Sequence, residues 1–247
     1  MNFNILTFDS LASTNTEALR QARLGGDEGL CIMARSQTAG RGRHGRIWAS
    51  EKDAGLFFSI ILRPTIQPQF LPLITLMAGI AVADTLVDIG LKPDIKWVND
   101  VLIGEKKISG ILAETAESPM GMAVVVGIGI NVMADRLPPE IAESGTSIEE
   151  ELGRRIEIAE LAERLTRFIG YFYDMLSGEN GPALIITEWR RRSSYYSGKN
   201  VRVKLNDGDI VGVTDGIEEN GSLRIRLADN SVSIIQAGEV EHLRTAD

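Results

Sequence analysis

Along the first three quarters of the chain, apolar runs of strand length alternate with longer runs of helical period. Residues 3–8 alternate apolar and polar positions and predict a short strand, which Asp9 and Ser10 break. Helical spacing follows over 17–24, and Gly25 and Gly26 end it. Ser13 and Thr14 precede that helix as N-capping residues, with Glu17 placed for a capping box. A strand is predicted over 30–36. The run 56–62 is rich in large apolar residues and predicts a buried central strand, closed by Arg63 and Pro64. Residues 70–89 predict a buried helix. Residues 94–103 and 108–114 predict a β-hairpin around a charged four-residue turn at 104–107.

Residues 122–132 predict a further buried strand, in which Gly127 and Gly129 signal a close approach by backbone or ligand. A polar, proline-rich loop spans 134–146, and Ser147 is placed to cap a short turn at 149–151. Apolar positions Ile158, Leu161, Leu165, Phe168, Phe172 and Leu176 predict a helix over 156–176. Gly181 and Pro182 open another, containing Trp189 and ending on Arg190, Arg191 and Arg192, where the helix dipole favours cations. From about residue 199 the pattern becomes short alternating strands at 201–205, 210–213, 222–227 and 232–235. Turn sequences at 206–208 and 219–221 separate them and predict a small β-barrel. The expected division is 1–195 and 196–247.

Composition narrows the class. The 247 residues suit one domain with a small appendage, and 44% apolar with 24% charged residues is ordinary for a globular chain. A single cysteine, Cys31, excludes an internal disulfide framework and reads as a buried thiol. His44 and His242 are the two histidines, so no zinc spacing exists. The N-terminus has no signal-peptide pattern, and no apolar run is judged long enough to cross a bilayer. No membrane association and a cytoplasmic location are therefore expected. A formal charge of −8 argues against general nucleic-acid binding.

Against that acidic balance, residues 29–50 contain no Asp or Glu. Their centre, QTAGRGRHGRIW at 37–48, alternates Gly40, Gly42 and Gly45 with Arg41, Arg43 and Arg46. Glycine lets a ligand approach the backbone closely. Arginine presents a planar fork to carboxylate and phosphate oxygens. The GxGxxG spacing lacks the helix that a dinucleotide fingerprint requires. A kinase glycine loop fails because no HRD or DFG sequence follows. What remains is a solvated basic hairpin tip or a loop that closes over a small anion.

Taken with further motifs, this loop resembles that of the biotin–protein ligases. The shared stretches are STN at 13–15, QTAGRGRHGRIW at 37–48, KWVND at 96–100, KKISGIL at 106–112, GIGIN at 127–131 and TSI at 146–148. They follow the family's order and extend through the terminal barrel. Val98 stands where the family usually has proline.

The resemblance implies an α+β fold: a mixed β-sheet flanked by helices, as in class II synthetase-like biotin and lipoate ligases, with a small C-terminal SH3-like β-barrel. It implies ATP-dependent formation of biotinyl-5′-AMP and biotin transfer to a lysine of a biotin carboxyl carrier protein or domain. Arg41, Arg43 and Lys107 are then the catalytic cations. Ser13, Thr14, Asn15, Gln37, Gly42 and Gly110 join those three in holding biotin. Arg46, Trp48, Lys96, Asn99, Asp100 and Asn131 serve ATP, and Asp100 also serves Mg²⁺. Trp48 either stacks near adenine or anchors the loop. The chain is expected to be the monofunctional kind, without a DNA-binding domain. Some relatives dimerise by sheet extension, which makes a homodimer an expectation. A lipoate–protein ligase and a non-catalytic biotin-binding module are the alternatives.

Overall fold

The computed structural model describes residues 1–205 and 208–242. A seven-stranded sheet has the order β1-β2-β3-β7-β6-β5-β4. Its strands are β1 (Asn4–Phe8), β2 (Leu30–Ala34), β3 (Gly55–Leu62), β4 (Pro93–Lys96), β5 (Asp100–Ile103), β6 (Lys106–Ala116) and β7 (Ala123–Asn131). β1 and β2 are parallel, joined through helix α1 (Thr14–Arg23), and the other pairs are antiparallel, so the sheet is mixed.

The two faces of this sheet divide the labour. On β3, Leu56, Phe58, Ile60 and Leu62 pack into the main core, as do Val124, Val126, Ile128 and Ile130 on β7. That core receives α2 (Leu73–Asp88), α4 (Ile158–Ser177) and α5 (Gly181–Arg192). The alternate residues face the other way, as strand geometry requires. Ile61 and Val125 meet Ala18, Leu19 and Ala22 of α1. A short helix α3 (Ile148–Leu152) is capped by the Ser147 hydroxyl, which accepts from Glu150 N–H, as the sequence predicts.

Several expectations are corrected. The run 94–103 is not one strand: it turns at Trp97, Val98 and Asn99, so β4 and β5 pair with each other. The following turn contains Gly104 and Glu105 alone, and Lys106 and Lys107 belong to β6. Ser13 sits at the N-cap of α1 but its side chain makes no capping bond, and Glu17 instead accepts from Arg20 and Gln21. Contrary to the expectation from the sequence, the segment Pro68–Asp88 is long and apolar enough to cross a bilayer. It is mostly buried against the sheet and its neighbouring helices, and this packing accounts for its apolar character.

The C-terminal sheet has the order β11-β10-β9-β8-β12 and is antiparallel throughout. Its strands are β8 (Ser197–Leu205), β9 (Gly208–Ile217), β10 (Leu223–Arg226), β11 (Val232–Ile235) and β12 (Glu239–His242). Among the described residues β11 and β12 do not pair, so the expected SH3-like barrel is not closed by hydrogen bonding. The turn expected at 206–208 lies partly outside the described residues. The Trp97 indole N–H donates to Gly221 O at 2.9 Å and ties the two sheets together.

Candidate active site

A cavity of about 240 Å³ lies on the α1 face of the large sheet, roofed by the arginine loop and rimmed by Gly238, Glu239 and Val240. All the site residues predicted from the sequence line it. They divide between two ends and the floor that joins them.

One end is a string of neutral polar groups. Gln37 Oε1 accepts from the Thr14 backbone N–H at 2.8 Å and faces the Thr14 hydroxyl at 3.1 Å. Gln37 Nε2 donates to Ser50 Oγ, which in turn donates to Trp48 O. Behind Thr14, the fully buried Ser59 hydroxyl lies 2.8 Å from Thr14 Oγ1 and 2.7 Å from Asn15 Oδ1. Asn15 Nδ2 donates to Leu112 O and to Glu114 Oε2. These carbonyl and carboxylate partners only accept, so they fix the Asn15 amide with its oxygen toward Ser59. Ser13 is buried beside this string and lines the cavity.

The other end gathers cations around one carboxylate. Lys96 and Asp100 are directly opposed across β4 and β5, with Nζ 3.3 Å from Asp100 Oδ2. Lys107 Nζ lies 2.6 Å from the other oxygen, Oδ1. Lys107 and Gly110 are three residues apart and would face opposite ways on a regular strand. The pairing of β5 with β6 slips by one residue between them, and this bulge returns both to the cavity side. Arg43 donates to Asn99 Oδ1 at 3.1 Å and to Gly238 O at 3.3 Å. Burial pulls its guanidinium below the usual pKa, against the attraction of Asp100 and Glu239. Arg46 pairs with Glu239 on β12, and that hydrogen bond holds the Glu239 carboxyl below its usual range. Asn131 Nδ2 donates to Thr146 O, at the point where Lys107 N–H donates to Ser144 O and Lys107 O accepts from Thr146 N–H.

Between the ends the floor is glycine. A Cβ on Gly129 would fall 2.3 Å from the Trp48 indole, and one on Gly110 would fall 2.9 Å from it and 3.1 Å from Lys107 Nζ. The indole thus lies flat on the floor, anchoring the loop, with Lys107 Nζ 5.5 Å from its ring centre. Its buried N–H has no partner among the described residues. Gly127 is approached in the same way by the Asn15 amide.

Residues 7–131 match the biotin/lipoate A/B protein ligase family, and residues 196–243 match the biotin protein ligase C terminal domain. The biotin–[acetyl-CoA-carboxylase] ligase of Mycobacterium tuberculosis is 35% identical over 239 residues, covering 94% of this chain and 86% of that protein. The chain belongs to the biotin/lipoate protein ligase family. The ligase of the same description from Paracoccus denitrificans is 31% identical over 92% of this chain and 96% of its own length. In structure, the biotin protein ligase of Aquifex aeolicus in complex with biotin and ATP is similar at a TM-score of 0.84 and 29% identity. That similarity covers 98% of this chain and 99% of the other.

Within this ligase fold, sequence reasoning missed Ser59, Ser50, Glu114 and Glu239. Ser59 carried a signal, as the one polar residue inside the apolar strand 55–62. Glu114 and Glu239 carried none, because their partners are 73 and 193 residues away in the chain.

Proposed function

We propose that this chain is a biotin–protein ligase that forms biotinyl-5′-AMP from biotin and ATP and passes the biotinyl group to a lysine of a carboxyl carrier protein or domain. The observation that carries the reading is a single cavity whose two ends suit the two halves of that acyl adenylate. Hydroxyl and amide groups at Ser13, Thr14, Asn15 and Gln37 suit a cyclic urea, which both donates and accepts hydrogen bonds. A dithiolane ring offers these polar groups no hydrogen-bond partner, which favours biotin over lipoate. Arg43, Arg46, Lys96 and Lys107 suit phosphate oxygens.

In the first step a biotin carboxylate oxygen attacks the α-phosphorus, and the bond to the bridging oxygen breaks as pyrophosphate leaves. Charge gathers on the α-phosphate oxygens, where prepositioned cations stabilise the transition state. Lys107 and Arg43 are held for this by Asp100 and by Asn99 with Gly238. In the second step a carrier lysine amine attacks the acyl carbon, AMP leaves with the electron pair, and the amine loses a proton.

Among the described residues no group of three or more acidic, His or Cys side chains could hold a metal. A single carboxylate completed by nucleotide phosphates is an ordinary Mg²⁺ environment, and Asp100, whose two oxygens pair with Lys96 and Lys107, would exchange one of these partners to hold the ion. Bound there, the ion would neutralise phosphate charge.

The test is biotin-dependent ATP–pyrophosphate exchange, with lipoate in parallel, followed by transfer to a carrier domain. Exchange with biotin and not with lipoate is expected. Exchange with lipoate alone would establish the other acid, and no exchange would indicate a binding module.

A further inference from the structure

Arg41 and Arg43 are two residues apart in one loop, and the resemblance treats them alike. The structure separates them. Arg43 reaches Asn99 and Gly238 at the end that holds Asp100 and Lys107. Arg41 donates instead to Glu114 Oε2, the same oxygen that accepts from Asn15 Nδ2 at 2.9 Å. Arg41 is thereby committed to a carboxylate, whereas Arg43 meets only a neutral amide oxygen and a carbonyl and keeps its charge for a phosphate beside Lys107.

We propose that Arg41 and Glu114 form a clasp, with Glu114 a positioning residue of the ligase site. Through Arg41, Glu114 seats the near end of the arginine loop on the sheet. Through Asn15, it braces the string Asn15–Ser59–Thr14–Gln37 that faces the ring of the acid. One carboxylate oxygen therefore serves both the roof and the ring-recognising wall. The string returns through Ser50 to Trp48 O at the loop's far end, so the loop is tied to the wall at both ends. The proposal rests on the ligase reading and assigns Arg41 to ligand retention, leaving the phosphate to Arg43 and Lys107.

The test combines two readouts. In the ligand-free protein, Glu114→Ala should speed trypsin cleavage within residues 41–46 by about fivefold or more, because the loop has lost its tie. Glu114→Gln keeps an acceptor oxygen for both donors without the charge. It should shift cleavage in the same direction by less, and it serves if the alanine variant does not fold. In pyrophosphate exchange, Arg41→Met and Glu114→Ala should each raise the KM for biotin and shorten the lifetime of bound biotinyl-AMP, both by about tenfold. These losses should exceed the loss in kcat, whereas Arg43→Met should lose mainly kcat. The double variant Arg41→Met with Glu114→Ala should be no worse than the worse single variant, because the two act through one contact.

The clasp is overturned if Arg41→Met loses kcat as Arg43→Met does, if the double variant multiplies the single losses, or if both Glu114 variants leave cleavage unchanged. Absence of biotin-dependent exchange in the wild-type protein would instead overturn the ligase reading. The ligand-free cleavage would still judge the clasp.

Discussion

Lys107 Nζ lies 2.6 Å from Asp100 Oδ1, and a one-residue slip in the β5–β6 pairing is what turns Lys107 toward it. The same slip sends Lys106 outward, where it pairs with Glu150 at 3.1 Å. Two adjacent lysines therefore have separate fates. Lys107→Ala should lower the rate of pyrophosphate exchange by about 100- to 1000-fold at saturating biotin and ATP. Lys106→Ala should change it by less than about threefold, since an exposed ion pair contributes little. Initial rates for the two variants check this, and a larger effect at Lys106 would refute the assignment.

Gly129→Ala should displace the Trp48 indole. A Cβ there would lie 2.3 Å from the ring, and the backbone of central strand β7 cannot yield. Trp97 and Trp189 stay in the core, so the emission change reports on Trp48. A red shift in tryptophan fluorescence is expected, with faster cleavage of the arginine loop. An unshifted spectrum would mean that the indole has room elsewhere on the floor.

The Arg46–Glu239 contact should be acid-labile. Its hydrogen bond holds the Glu239 carboxyl below the ordinary 4.5, so protonation is harder in the folded protein. Stability from this pair is present above pH 4.5 and is lost as pH falls through the depressed value. Carboxyl NMR of Glu239 should show a midpoint under 4.5 that rises in Arg46→Met. An unchanged midpoint in the variant would show that another group sets it.

Ser59→Ala should cost about 1–3 kcal/mol in urea unfolding, because it leaves the Asn15 oxygen buried without a donor. An equally buried hydroxyl offers a control: Ser109 has no partner among the described residues, so its replacement by alanine should cost less. Equal losses would show that the Ser59 bond to Asn15 adds nothing.

The fold was legible where periodicity is strong. The continuous apolar run of β3 and the all-round apolar α2 reveal buried elements because each is covered on both sides. Local chemistry misled where long-range partners won. Ser13 has the residue type of a cap, yet its side chain makes no capping bond, and Glu17 is taken by Arg20. The β4–β5 turn was hidden because Trp97 and Val98 read as strand formers, and packing against the C-terminal sheet sets their place. The glycines of β7 did announce a close approach, but the groups that approach are the protein's own Asn15 and Trp48. Parity on a strand was readable, whereas the slip that inverts it at Lys107 depends on the register of a neighbouring strand.

Arg43 is held at once by Asn99 and by the carbonyl of Gly238, 195 residues further along the chain. During synthesis the ring-facing wall and the cluster around Asp100 emerge long before that carbonyl exists. A nascent chain on the ribosome thus has a pocket whose roof is tied to the wall through Glu114 and Ser50 but lacks its support at Arg43 and Arg46. The cationic end of the site is completed only when the C-terminal sheet has folded against the loop.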